Sequence, residues 1–520
     1  MHALNRRPVS TRLAWRAVAL LVTGVASQPV SAQAFPQLVG RTEIGLRGGT
    51  ISADVCLTDL VTRGDTMTVA LNRAFTLTKV TGAYPDPVAR EDEPGGNAVR
   101  YTFAGVGAPA DGASAASGAG ATLCLEYSGR FPVHDVDAGE YRAEDASNVV
   151  AFTGGLVRAR GISRWHPTTH DPATGLTTEA VRWRLEVACP ECALVYVNGQ
   201  LFDGPGPINF VSAEPRELLL VAGDLSETRA GGMSFIGAPV PADSAEAFSA
   251  ILAELGGFLE TYTGVPFGPL PDVIAIAPAH APRRGSLWGF LGDPALGLLG
   301  MSVPELLSAV ERTGGSSRRQ VLGFLSHELA HRYFAWRMGA GTPQRDFFGE
   351  PFAVYLELKA VRHIFGEAEY LRGLARLLGQ AARLEDYTPL PVAGADDFAR
   401  SGYRYGYAPL ALFSLEQAIG EPAMRDVLKV MLEASAAERY TADFGFLVSS
   451  AIRAGVPVEV LRAWETRCVS VSLLEGDCLP ELDHPVARAR SGDSDQIPVG
   501  RTYASTSSAP GGWKSNEGAR

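Results

Sequence analysis

Val321–Arg332 reads VLGFLSHELAHR, and Phe347–Glu357 reads FFGEPFAVYLE. In the first segment His327 and His331 stand four residues apart. On a helix that spacing puts both imidazoles on one face, one turn apart, where two neutral rings can chelate one metal ion. Val321, Leu322, Phe324 and Leu325 give the helix an apolar face ahead of the histidines. Ser317 with Gln320 has the form of a capping box at its start. Glu328 projects beside the histidines and is placed to act as a general base on water at the metal. The competing reading is an exposed helix that carries these three residues by accident. A catalytic zinc would need, besides the two histidines, a third protein ligand and an open position.

Working outward, the chain has 520 residues, more than one ordinary core holds, so two or three domains are expected. Apolar residues make up 46% and charged residues 20%, a globular balance. A formal net charge of -11 argues against nucleic acid as the main partner.

From Phe35 to about Pro239 short alternating or apolar runs recur: Asp54–Leu57, Thr66–Leu71, Val99–Phe103, Thr122–Tyr127, Val181–Val187, Ala193–Val197 and Glu217–Ala222. Gly, Pro, Asp and Asn separate them, the pattern of a sandwich-like β domain. Ala104–Ala121 is rich in Gly, Ala and Ser and reads as a flexible loop. Near Asp243 the period changes to that of a helix, over Ala245–Tyr262. Asp272–Ile276 reads as a buried strand. Past Leu306 the pattern is mainly helical: about Ser317–Met338, Pro351–Ile364, Glu367–Leu384, Tyr407–Ala418, Ala423–Ala434, Ala442–Ala454 and Val458–Glu465. The expected organisation is multidomain α+β. A β-sandwich-like domain spans 33–239, a mostly helical domain 240–485, and a tail with little to bury 486–520.

Residues 1–32 read as a signal peptide. Arg6, Arg7, Arg12 and Arg16 are basic, Ala17–Val25 is apolar, and Val30-Ser31-Ala32 sets small residues before a mature start near Gln33. The apolar run is about half the ~20 residues a membrane span needs. An uncleaved anchor is the alternative. Export to a periplasm or the exterior is therefore expected, with no membrane span once the signal is removed. Six cysteines fit that compartment. Neighbour pairing would give disulfides Cys56–Cys124, Cys189–Cys192 and Cys468–Cys478, although an even count does not fix connectivity. Cys189-Pro190-Glu191-Cys192 also has the form of half a zinc knuckle or a redox motif, but no second CxxC completes a knuckle.

Eighteen residues separate His331 from Glu350, which sits in Glu350-Pro351-Phe352-Ala353. Over about Pro239 to Glu465 the chain resembles the gluzincin metallopeptidases, specifically the aminopeptidase N and glycyl aminopeptidase families. The first of these has H-E-x-x-H, eighteen residues, then Glu within Glu-Gly-Phe-Ala. The resemblance implies a thermolysin-like catalytic domain and one zinc ion per chain, held by His327, His331 and Glu350. It implies a peptide or protein substrate, with Glu328 as general base. A surface glutamate is the competing reading of Glu350. The families also carry a glutamate seven residues past the third ligand, here Glu357, where a carboxylate can orient a ligand imidazole. They use a tyrosine in a Tyr-x-x-Gly pattern as hydroxyl donor to the oxyanion, and Tyr403 stands three before Gly406. Tyr405 and Tyr407 are rivals for that role.

Two features depart from the pattern. Aminopeptidases of these families place Gly-x-Met-Glu-Asn before the zinc helix, and its glutamate binds the substrate's amino group. The corresponding stretch is expected at Gly297-Leu298-Leu299-Gly300-Met301-Ser302, with Gly300 where the acid would be and Glu305 displaced toward the next helix. Leu298–Ser302 could still pair with an extended peptide at a sheet edge. Pro351 biases Glu350 away from helical geometry. His166 and His170 are also four apart, but Pro167 and Pro172 mark that stretch as a surface loop, with a second metal site as the alternative. The expected function is a zinc metallopeptidase, with endopeptidase and aminopeptidase both open. The alternative is a peptidase-like peptide-binding protein with an idle site, against which the intact Glu328 argues.

Overall fold

The computed structural model describes residues 35–60, 66–83, 87–93, 97–104, 121–135, 150–171, 176–276, 287, 289–312, 316–334, 338–384, 386–470 and 478. The signal segment, residues 105–120 of the Gly-rich loop and the tail lie outside the described residues.

Among the described residues the strands form four sheets. The first runs Ile208–Glu217, Ala180–Ala188, Gln37–Gly45, Thr50–Leu60, Ala121–Arg130, Phe75–Gly82. The second runs Gln200–Asp203, Leu194–Val197, Leu220–Gly223, Leu156–Ala159, Ala151–Thr153, Val133–His134. The third runs Leu176–Thr178, Thr168–Asp171, Thr66–Asn72, Ala98–Ala104, Pro87–Asp92. Alternation buries one face of each long strand; in Thr50–Leu60, Ile51, Ala53, Val55 and Leu57 point inward. Leu57, Val69, Phe103, Phe152, Trp183 and Leu220 meet in one core, so three sheets share the interior where the sequence suggested a simple sandwich. Phe75–Gly82 and Pro87–Asp92 were not legible, because both are largely exposed and carry little apolar alternation.

The fourth sheet runs Ser226–Ala230, Met233–Gly237, Asp272–Ala275, Ala295–Leu298, Gly289–Gly292, parallel through its middle three strands. One face meets the second sheet through Tyr196, Leu219 and Val221 against Ile236, Ile274 and Phe290. The other face supports the helices. Helix α1 (Ala242–Thr263) buries Phe248, Leu252, Leu255 and Leu259 at helical spacing. Helix α2 (Val303–Glu311) starts with Ser302 capped by Glu305, whose carboxylate accepts from Ser302 N at 2.7 Å. Helices α3 (Ser316–Ala330) and α4 (Arg345–Phe365) carry the motif residues, and α5 (Glu367–Ala381) follows. Beyond them lie Ala408–Ile419, Glu421–Glu433, Phe444–Arg453 and Val458–Trp464, close to the periodic segments. The architecture is a β-rich half of several sheets followed by a helical half.

Four expectations change. The described part of α3 ends at Ala330, well before Met338, and Ser317 lies inside the first turn, not at the cap. Pro351 sits within α4, six residues after its start, and Glu350 stays helical. Burial of Phe347, Phe348 and Phe352 on this helix outweighs the proline's local preference. The expected sheet edge at Leu298–Ser302 is not one: Ala295–Leu298 is flanked on both sides, and among the described residues the edge is Gly289–Gly292. His170 lies on the strand Thr168–Asp171, and both it and His166 are buried. Pro167 stands just before that strand, a position that needs no ladder donor.

The cysteines form disulfides Cys56–Cys124, Cys189–Cys192 and Cys468–Cys478. No described helix is long and apolar enough to cross a membrane.

Candidate metal centre

Helix α3 is buried on every side from Val321 to Ala330, so its polar residues need partners inside the protein. His327 is on its last turn, and His331 follows in a tight turn, with its N–H donating to Glu328 O at 3.2 Å. The two rings lie 4.8 Å apart, nearly perpendicular. Helix α4 packs against α3 and brings Glu350 to the pair, with Glu350 Oε2 3.1 Å from His327 Nε2 and 3.6 Å from His331 Nε2. One ligand atom from each of His327, His331 and Glu350 lies within 4.8 Å of the others.

The far side of each imidazole is also engaged. His327 Nδ1 faces Glu357 Oε2 at 3.4 Å, and His331 Nδ1 faces Phe334 O at 3.2 Å. With each Nδ1 protonated, loss of the Nε2 proton would leave both lone pairs turned toward Glu350, the tautomer a metal ligand needs. Two nitrogens and a carboxylate oxygen converging in this way suit a borderline ion such as Zn²⁺. Residue 323 on α3 is glycine and faces Glu357 of α4; a Cβ there would lie 3.2 Å from Glu357 Oε1, so the carboxylate would have to give by a few tenths of an ångström.

Electrostatics follow from burial. Burial lowers the His327 pKa, but hydrogen bonds to Glu350 and Glu357 outweigh it and raise it to about 10. Burial pushes Glu350 up, yet the two histidines hold it well below the usual carboxylate range. Burial raises Glu328, only partly offset by His331 and His327.

Together, His327, Glu328, His331 and Glu350 line a cavity of about 140 Å³. The edge strand contributes Gly289, Phe290 and Leu291 to its wall. Tyr405 lines it too. Tyr403 is not brought to this group: it is fully buried, donates its hydroxyl to Thr388 O at 2.7 Å, and stacks on Tyr407. Tyr403–Tyr407 form a π-helical turn, with Ala408 N–H reaching back to Tyr403 O. Such a turn changes the angular step between residues, which sequence spacing alone does not reveal. Glu305 is spent on the cap of α2.

The sequence did not point to the opposite wall, built by the β-rich half. Arg160, Glu179 and Glu217 line the cavity, with Arg345 from the start of α4. Glu179 joins Arg164 at 2.7 Å and Arg345 at 3.0 Å. Glu217 joins Arg160 at 3.1 Å. Arg160, Glu179 and Glu217 lie more than a hundred positions before the motif, and no local pattern marks them.

No family model matches the chain, and no curated protein matches its sequence. Its fold resembles solved structures. For native leukotriene A4 hydrolase from Saccharomyces cerevisiae the TM-score is 0.56 at 14% identity, covering 83% of this chain and 67% of that one. For a mutant M1 zinc metallopeptidase from Deinococcus radiodurans it is 0.52 at 16% identity, covering 83% and 93%. A mutant of that enzyme bound to a Tyr-Ser-Ala substrate gives 0.51 at 15% identity, with the same coverage. Identities this low establish a shared fold.

Proposed function

We propose that this chain is a zinc-dependent metallopeptidase, exported, with one ion held by His327, His331 and Glu350. The observation that carries the reading is the convergence of those three ligand atoms beside Glu328 on one cavity wall. A zinc ion there supplies Lewis acidity, polarising a peptide carbonyl and lowering the pKa of water from ~16 to ~7.

The remaining chemistry belongs to the protein. Glu328, made more basic by burial, takes a proton from the attacking water and passes it to the leaving amine. Glu357 and Phe334 O keep the two imidazoles in the ligating tautomer. Tyr405 is the better candidate for the hydroxyl that steadies the oxyanion, because it lines the cavity while the Tyr403 hydroxyl is committed to Thr388. An extended peptide can pair with the edge strand Gly289–Gly292. The mutant Deinococcus radiodurans enzyme bound to Tyr-Ser-Ala supports a peptide as the substrate class.

The edge strand offers no carboxylate, and Glu179, Glu217 and Asp346 are ion-paired with arginines. Besides Glu328 and the metal ligand, a substrate's free amino group therefore meets no unengaged acid among the described residues of these walls, and N-blocked peptides should be turned over better than free amino acyl dyes. Three disulfides and the sequence of residues 1–32 support export.

The test is mass-spectrometric cleavage profiling of a peptide pool, with and without chelator, using Glu328→Gln as control. Cleavage should vanish in both the chelated sample and the variant. One zinc per chain with no turnover would favour the peptide-binding alternative.

A further inference from the structure

Arg160 is only 7% exposed, yet it lines the same cavity as Glu328 and the three ligands. Its guanidinium lies 4.6 Å over the Phe290 ring, which belongs to the edge strand. Gly297, on the neighbouring strand, leaves room for that ring; a Cβ there would lie 2.3 Å from Phe290 Cε1. Glu217, on the same wall, holds the arginine, with Oε2 accepting from Arg160 Nη2 and Oε1 accepting from Ile162 N at 3.4 Å.

A guanidinium has five donors in a planar fork, suited to a carboxylate. Glu217 engages one nitrogen, and Arg160 Nε is buried with no hydrogen-bond partner among the described residues. A buried donor left in that state is costly; Arg100, Arg164 and Arg216 share it, and Arg160 is the one of the four that lines the cavity. The acids on the same wall are in the opposite condition. Glu179 is held by two arginines, Asp346 lies 3.5 Å from Arg345, and both Glu217 oxygens are used. The wall therefore has capacity left for an anion and little for a cation.

We propose that Arg160 receives a carboxylate of the substrate, so that the site selects peptides bearing an acidic side chain or a free C-terminal carboxylate close to the scissile bond. This rests on the peptidase reading above. The bond is electrostatic and charge-assisted, with Phe290 holding the guanidinium plane against the edge strand along which the peptide would lie.

The experiment uses zinc-loaded full-length protein and N-acetyl peptides in matched pairs. One pair differs by Glu against Gln beside the scissile bond, the other by C-terminal acid against amide. The expected result is a kcat/KM roughly 10- to 100-fold higher for the carboxylate member of one pair, which also tells side chain from terminus. In Arg160→Met that ratio should fall to within about threefold, and Arg160→Lys should keep part of it. Equal rates within both pairs for the wild type, or an undiminished ratio in Arg160→Met, would overturn the proposal. If Arg160→Met does not fold, the wild-type pairs and Arg160→Lys still decide.

Calorimetric binding of the same peptides to Glu328→Gln separates this inference from the parent reading. Carboxylate-dependent binding without wild-type turnover would sink the peptidase alone. Turnover without carboxylate dependence would sink the role of Arg160 alone.

Discussion

His327 is held from both sides, by Glu350 at Nε2 and by Glu357 at Nδ1. The second contact has a measurable consequence. Removing Glu357 leaves the imidazole free to rotate or change tautomer, so Glu357→Ala should weaken zinc binding ~10- to 100-fold. Competition with a chromophoric chelator measures this without reference to turnover. Glu328 should behave differently. Glu328→Gln keeps the shape of the site and removes the base, so zinc affinity should stay within a few-fold while turnover falls by roughly 10²–10⁴. Equal loss of zinc and activity would mean that Glu328 serves the ligands and not the reaction. The tyrosines separate in the same way. Tyr405→Phe should lower kcat ~10- to 100-fold, with zinc affinity retained. Tyr403→Phe deletes a buried donor to Thr388 O and should chiefly lower stability, by about 1 kcal/mol. The opposite pattern would restore Tyr403 to the role suggested by its spacing from Gly406.

Helix α4 shows where sequence reasoning at the level of elements succeeds and where it stops. Its apolar period marked the stretch from Pro351 onward, but the helix begins at Arg345. A proline conventionally argues for a helix boundary. Here the start is pinned by non-local bonds: Gln344 donates to Leu390 O at 2.9 Å and Arg345 reaches Glu179 at 3.0 Å. Those partners are distant in sequence, so periodicity could not register them. The proline still lacks the N–H an interior helix position would use, so Pro351→Ala should stabilise the fold by about 1–3 kcal/mol with zinc affinity unchanged. Chemical denaturation checks it, and a loss of stability would mean that the ring's packing outweighs the missing bond. The same distinction applies across the site. His327, Glu328 and His331 were legible because one helix and the turn that ends it set their spacing. Glu350 and Glu357 were legible through family-like context on a second helix. Arg160, Glu179 and Glu217 were not, because three-dimensional packing of the β-rich half, and no repeat in the sequence, delivers them to the cavity.

At the scale of the whole molecule, that wall makes the two halves interdependent. Glu179 of the β-rich half bonds Arg345, the first residue of the helix that carries Glu350. Burial pushes the Glu179 carboxyl up, but Arg345 and Arg164 outweigh it and hold it at about 2, against an ordinary value of 4.5. A folded-state pKa below the unfolded one contributes stability that is fully present above about 4.5 and is lost as pH falls through about 2. The drop is on the order of 3 kcal/mol at 1.36 kcal/mol per unit. Wild type should therefore lose stability across that acid window more steeply than Glu179→Gln, which has no proton to take up. At pH 7 the variant leaves the buried Arg164 and the partly exposed Arg345, which keeps Asp346 at 3.5 Å, short of a partner and should be less stable by ~3 kcal/mol. Towards pH 2 the two curves should converge, since the wild-type carboxyl takes up its proton there. Urea unfolding at a series of pH values measures both limbs. A gap that stays constant down to pH 2 would show that Glu179 contributes by shape alone, and that charge does not hold α4 to the β-rich half.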